Sequence, residues 1–300
     1  MESGDIPLLH ALRSGHRIIQ RPSQPKQILT VMSFLSRFLA ALSGKTTVPS
    51  LPVPQLPASD VMEARDGSIL VRIPTGEFEM GDGKDTDCPK HKVQLSEYWM
   101  AVYCVTNRQY GKFVSETKHR APDQSDNSFP AVWKNGKCRA KKLDHPVVCV
   151  SWDDCAAYAK WAGLSLPTEA QWEKAARGPG GLIYPWGNEW DQNKCRNDTN
   201  RGNHTTATVW EYSNGKSGYG TLQQSGNVWE LCADWYEADY YGKSPTKDPG
   251  GPYSGTGRVY RGGGFNVDAA SSFRGADRSG GSDPASRGGT TGFRLVRNSP

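Results

Sequence analysis

The side chains of this 300-residue chain best suited to redox, nucleophilic or metal chemistry are seven cysteines and six histidines. Such groups act when several converge on one point, or when one is paired with a base. The cysteines are Cys88, Cys104, Cys138, Cys149, Cys155, Cys195 and Cys232, and no two of them form a C-x-x-C pair. That removes the common zinc-ribbon and thioredoxin patterns, and an odd number prevents complete pairing within one chain. The histidines, His10, His16, His91, His119, His145 and His204, are scattered. A single histidine is more often a hydrogen-bonded structural residue than a ligand, so metal catalysis lacks its constellation. A second notable stretch lies late in the chain. Residues 266–291, NVDAASSFRGADRSGGSDPASRGGTT, are dominated by Gly, Ser, Ala, Asp and Thr. Small side chains of this kind suit a replaceable recognition surface, or they simply let backbones approach closely.

The elements that must position these residues follow from composition and pattern. Hydrophobic residues make up 36% and charged residues 22% of the chain, with a mean hydropathy of −0.65. This is the composition of a soluble globular protein with a sizeable core, and it excludes a multi-span membrane protein. The 33 Gly, 20 Pro and 10 Trp argue for many tight turns pinned by aromatic anchors, and against a helical bundle. The 36 basic and 31 acidic residues leave +5, and the densest basic run is only Arg139, Lys141 and Lys142. No nucleic-acid partner is expected on that basis.

Residues 1–44 read as a basic leader in which Leu29, Met32, Leu35, Leu39 and Leu42 share a helical face. Arg37 interrupts this apolar run, and no A-x-A site follows it. An amphipathic helix is therefore preferred to an interfacial anchor, or to a signal peptide starting at Met32. A cytoplasmic location is the default, and export follows only from that later start. Residues 45–60, with four prolines, read as an extended linker before a folded domain at 61–300. Within it, SILVRIP and HKVQLSEYWM alternate as strands do. Thr106 and Ser151 are N-caps for helices, Gly163 stops the second, and Thr168 with Gln171 has capping-box spacing. After Gly178 helical signal almost vanishes, which gives an α+β fold class with few helices and much irregular structure.

Several segments carry a resemblance. HPVVCVSWDDCAAYAKWAGLSLPTEAQWEKAARG, YPWGNEW, SGNVWELCADWY, RVYRGGGF and TTGFRLVR occur in this order, after IPTGEFEMGD and YCVTNRQYGKFV. Together they resemble the formylglycine-generating enzyme, or sulfatase-modifying factor, family over about residues 68–297. The resemblance implies a C-type-lectin-like fold. It also implies a structural calcium held by oxygens at Gln223, Gly226, Val228 and Glu230, with a further site at Asn197 and Asp198. Calcium takes six to eight such oxygens, although an Asn- and Asp-rich loop that satisfies its own backbone explains the same letters. Within these motifs Trp229 and Trp235 read as core, Glu169 and Glu173 as outward or paired with Arg177, and Glu230 has no obvious cationic partner.

Oxidase members of the family hold copper(I) with two late cysteines spaced five apart, because copper(I) requires soft thiolates. The matching positions here are close to Val267 and Ser272, and no cysteine follows Cys232. Copper is not expected. The leader, with only His10 and His16, is too short for the iron-binding bundle of the sulfoxide-synthase branch. Residues 260–297 instead resemble the variable region of proteins diversified by retroelements, where mutated Asn codons yield this residue set. Ordinary Gly-rich scaffold loops remain the alternative. The expected reading is a non-catalytic binder of a protein or small molecule, and the alternative is an oxidative modifying enzyme of the family. The candidate contacts are Phe265, Val267, Asp268, Ser271, Ser272, Phe273, Arg274, Asp277, Ser279, Ser282, Ser286, Thr290 and Thr291. Arg274, Arg278 and Arg287 are the strongest hot-spot candidates by side-chain type.

Overall fold

A computed structural model describes residues 56–123 and 129–299. The amphipathic helix expected within 28–42, and most of the linker expected at 45–60, lie outside the described residues. The strands in chain order are β1 (Val61–Glu63), β2 (Ile69–Ile73), β3 (Gly76–Met80), β4 (His91–Leu95), β5 (Tyr98–Ala101), β6 (Trp133–Lys134) and β7 (Lys137–Cys138). They continue as β8 (Trp229–Trp235), β9 (Arg258–Arg261), β10 (Arg278–Ser282), β11 (Thr291–Gly292) and β12 (Val296–Asn298). The helices are α1 (Asn107–Thr117), α2 (Trp152–Ala162), α3 (Glu169–Arg177) and the short α4 (Asp198–Arg201).

Local chemistry explains the three longer helices. The side chains of Thr106, Ser151 and Thr168 each accept from the backbone N–H three residues on, and the residue there bonds back to the cap. Each such cap contributes roughly 1 kcal/mol by satisfying orphan donors. Gly163 ends α2 in the left-handed region at φ 71°. On α1, Tyr110 and Phe113 face inward; Tyr110 stacks on Tyr158 of α2 at a ring distance of 5.7 Å, and Phe113 meets it edge-on at 5.3 Å.

Long-range pairing then builds two four-stranded sheets, one ordered β1-β2-β5-β12 and the other β10-β9-β8-β11. The first is antiparallel throughout, whereas β11 runs parallel to β8 in the second. Most of the rest is turn and loop, so buried side chains must bond much of the backbone. Arg294 does this: it donates to the carbonyls of Ala101, Val102 and Leu222 and to both oxygens of Glu230. The chain from β12 is thereby tied to β5 and β8 at one buried point.

Three expectations change here. Glu230 has a cationic partner after all, since Arg294 lies far along the chain but against it in space. Glu169 and Glu173 are buried, not outward: Glu173 does pair with Arg177, the second of the two readings, and also with Arg261, whereas Glu169 pairs with Arg261 and Arg278. Trp229 and Trp235 are half-buried, not core. Trp235 and Trp152 instead sandwich the Arg258 guanidinium at 3.5 and 3.6 Å, a cation–π arrangement.

Candidate functional site

The composition-biased stretch divides into two exposed loops around a buried strip. Asn266, Asp268, Ala269 and Ser271 are exposed in the first loop, and Asp283, Ala285, Ser286 and Arg287 in the second. Val267, Ser272, Asp277, Ser279, Thr290 and Thr291 are half-buried, and Ser282 pairs its backbone with Arg258 in the β10–β9 ladder. The two loops approach one another. Phe129 meets Phe265 edge-on at 5.0 Å, and the Cα of Gly289 sits so that an added Cβ would lie 3.3 Å from the same Phe129 ring. Trp229 donates its backbone N–H to Thr290 at 2.9 Å, and its indole lies beside Gly264. Phe129 and Trp229 therefore join the loops into one face.

The strip between the loops corrects the expected contact set. Phe265 and Phe273 are fully buried, so neither side chain is available to an external ligand. Phe273 stacks on Trp190 at 5.0 Å. The buried Arg274 guanidinium is taken up by Asp82, Asp85 and Asp277. Arg278 binds both oxygens of Glu169, at 2.9 and 2.8 Å, and reaches the carbonyls of Asp87 and Glu237. Only Arg287 of the three arginines remains exposed. Two glycines in this region are packing requirements. A Cβ on Gly275 would sit 2.4 Å from Arg177 Cγ, and one on Gly280 would fall 1.9 Å from the Tyr236 ring.

At the positions expected to hold calcium, the side-chain oxygens meet protein donors or cations. Glu230 Oε1 accepts from Cys104 Sγ at 3.3 Å and Oε2 from Trp172 Nε1 at 2.8 Å, besides the two bonds from Arg294. All four of its lone-pair directions are filled by donors, which leaves none for a cation. The Gln223 amide oxygen accepts from Asn227 at 2.6 Å, and its nitrogen donates to the carbonyls of Thr208 and Glu211. Asn197 caps α4, and its oxygen also accepts from the Thr199 hydroxyl at 2.7 Å. Asp198 pairs with Arg201 at 2.6 Å. The backbone carbonyl of Gly226 accepts from Val228 N–H at 3.0 Å. The side-chain oxygens of Gln223, Glu230, Asn197 and Asp198 thus bond within the protein, and no step is assigned to a metal at these residues or at Gly226 and Val228.

The sequence profile of the sulfatase-modifying factor enzyme 1-like domain matches residues 57–299. The chain belongs to that family. It is 36% identical to a formylglycine-generating enzyme of Streptomyces coelicolor over 281 residues, covering 76% of this chain and 88% of the relative. It is 38% identical to one from Thermomonospora curvata over 286 residues, covering 76% and 92%. Among solved structures, PvdO from Pseudomonas aeruginosa aligns with TM-score 0.69 at 24% identity, covering 80% of this chain and 98% of PvdO. Treponema denticola variable protein 1 aligns with TM-score 0.64 at 23% identity, covering 77% and 95%. The fold of this sulfatase-modifying-factor domain is thus of the formylglycine-generating-enzyme, C-type-lectin-like type, as the motifs implied.

Six of its seven cysteines are buried. Cys104, Cys155 and Cys232 are fully enclosed, and burial pushes each thiol well above its usual range. Burial likewise raises Cys195 to about 12 and Cys138 to about 11. Cys195 is the one thiol that shares a buried cluster with Val267 and Phe273. A single protonated thiol is neither a nucleophile nor a copper(I) cradle, which needs soft thiolates in number. His145 matches its structural expectation: its ring bonds the Thr206 hydroxyl at 2.9 Å, and burial lowers it to about 4, so it is neutral. Sequence reasoning missed a cleft beside the loop face, where His204 comes to Arg139 and Lys142. Its only early signal is the short basic run containing those two residues.

Proposed function

We propose that this domain is a binding module that engages a protein or small molecule through residues 266–272 and 283–291, without oxidising it. One observation carries the reading. Side chains exposed on the two loops are separable from those that hold the fold, which lie in the strip between them and in the Arg294–Glu230 pair. A frame pinned elsewhere lets surface residues change without unfolding. The finer reading, that residues 260–297 are diversified by a retroelement, gains support from the small and polar residues exposed there, Asn266, Asp268, Ala269, Ser271, Asp283, Ala285 and Ser286. It predicts a reverse transcriptase gene nearby and a near-copy of the coding sequence for this stretch, differing mainly at adenines. Absence of both from the genome overturns the diversified reading.

The identity to formylglycine-generating enzymes favours a second reading, an oxidative modifying enzyme. The two separate in one assay. The purified chain is incubated with copper(I), oxygen and a sulfatase-type cysteine peptide, and the peptide is weighed by mass spectrometry. No conversion of the cysteine to an aldehyde is expected, because Val267 and Ser272 offer no thiolate. Turnover would reject the binding module as proposed.

A further inference from the structure

We propose that the cleft between the β6–β7 hairpin and residues 203–205 is a binding site for an oxyanion group carried by a ligand. The cleft encloses about 140 Å³, and Arg139, Lys142, Asn203, His204 and Thr205 line it over Val132. That is room for one charged group and its donors, not for a large apolar ligand. Every polar residue in the lining can donate a hydrogen bond, and the lining contains no carboxylate.

The cations here lack the partners that cations elsewhere in the fold possess. Arg261, Arg274, Arg278 and Arg294 each meet a carboxylate. Among the described residues, none lies within ion-pair distance of Arg139 or Lys142. The half-buried Lys142 ammonium touches only His145 Nδ1 and the Thr206 carbonyl, both at a long 3.4 Å. His145 cannot balance the charge, because it is neutral. Nearby acids are engaged: Asp144 holds Arg108 at 2.8 and 3.0 Å, and Glu211 accepts from Thr208 at 3.0 and 2.8 Å.

Behind the cleft, Arg196 is buried and bonds only carbonyls, those of Thr205, Asn200 and Arg201. It therefore fixes the wall at residue 205 and adds positive charge behind the cleft without a carboxylate in contact. Burial first, and then the charge of Arg196, lower the pKa of Lys142; Glu211 opposes them and Arg139 adds to them, and the net direction is down. Like charges gathered in a half-dry cleft repel, and an anion between them relieves that cost. A guanidinium, an ammonium and neutral donors around a small space suit a phosphate, sulfate or carboxylate group.

This inference does not rest on the loop surface, and its test keeps the two apart. Inorganic phosphate, sulfate and acetate are titrated into the full chain at constant ionic strength, and binding is followed by amide chemical shifts. At least one is expected to saturate with shifts centred on residues 139–142 and 203–205; which one does so names the oxyanion. Arg139→Gln and Lys142→Met should each weaken binding by about tenfold or more, as loss of a charge-assisted bond does. Arg139 is exposed, so its variant tests binding even if Lys142→Met does not fold. A chain with alanines at Ser286, Arg287 and Thr290 should bind as the parent does. No saturation with any of the three anions, or equal affinity in Arg139→Gln, overturns the proposal.

Discussion

Residues 273–278 and 283–291 come from one Gly- and Ser-rich run, yet they perform opposite work. In the first, Phe273, Arg274 and Arg278 are buried and held by the Tyr184–Cys195 segment, the residues around Asp82 and α3 respectively. In the second, Asp283, Ala285, Ser286 and Arg287 face solvent. Arg278 and Arg287 are the same residue type nine positions apart, one meeting a buried glutamate and the other water. Composition describes the run, whereas tertiary neighbours decide what each member does. The contrast can be broken experimentally in order of expected effect.

The largest effect belongs to the buried ion pairs. Arg278→Met leaves Glu169 enclosed with one cation fewer, and removing one partner of a buried pair costs about 3–5 kcal/mol. Urea unfolding should show that loss, while Arg287→Met should stay within about 0.5 kcal/mol of the parent. Equal costs for the two would erase the distinction.

Acidity gives the next contrast. Asp234 is buried beside Glu169, and burial raises its carboxyl to about 8. An unfolded aspartate titrates near 3.9, so between roughly pH 4 and 8 the folded chain binds the extra proton. Stability from this group is therefore complete below about pH 4 and is lost as pH rises through 8. Asp234→Asn keeps the oxygen that accepts from Glu169 N–H but removes the titration. The variant should gain on the parent by about 3–4 kcal/mol from pH 5 to pH 8. A constant difference across that range would show that Asp234 is charged in the folded chain. Loop variants at Ser286 and Thr290 should show no such slope. Backbone crowding comes next. Gly275→Ala drives a Cβ into the Arg177 stem and should cost about 1–3 kcal/mol as overpacking does. Gly288 has no atom closer than 3.5 Å to an added Cβ, so Gly288→Ala should be far milder by urea unfolding.

What was legible in the sequence follows the same division between local and distant causes. The caps at Thr106, Ser151 and Thr168 could be read because cap and partner stand three residues apart. The motif order likewise carried the family and its fold. Burial of Phe265 and Phe273 could not be read, because Phe129, Tyr184 and Trp190 reach them from remote segments. Glu230 looked unpartnered because Arg294 is 64 residues away. The basic cleft was half visible: Arg139 and Lys142 are neighbours in sequence, but the wall at His204 arrives only with the fold.

The smallest expected effect tests the loop face most sharply, because the proposal requires almost nothing to happen. Ser286, Arg287 and Thr290 replaced together by alanine lose polar side-chain atoms, whereas the contact to Trp229 runs through the Thr290 carbonyl. That carbonyl belongs to the backbone and survives the change. Surface substitutions of this kind usually stay within about 0.5 kcal/mol each, so the melting temperature should move by only a few degrees. The parallel β11–β8 pairing should keep its amide protection in hydrogen exchange, since Trp229 still donates to residue 290. A cooperative loss of that protection would mean that the loop side chains hold the sheet edge. The second loop would then belong with the buried strip, and the frame and the face would be one structure.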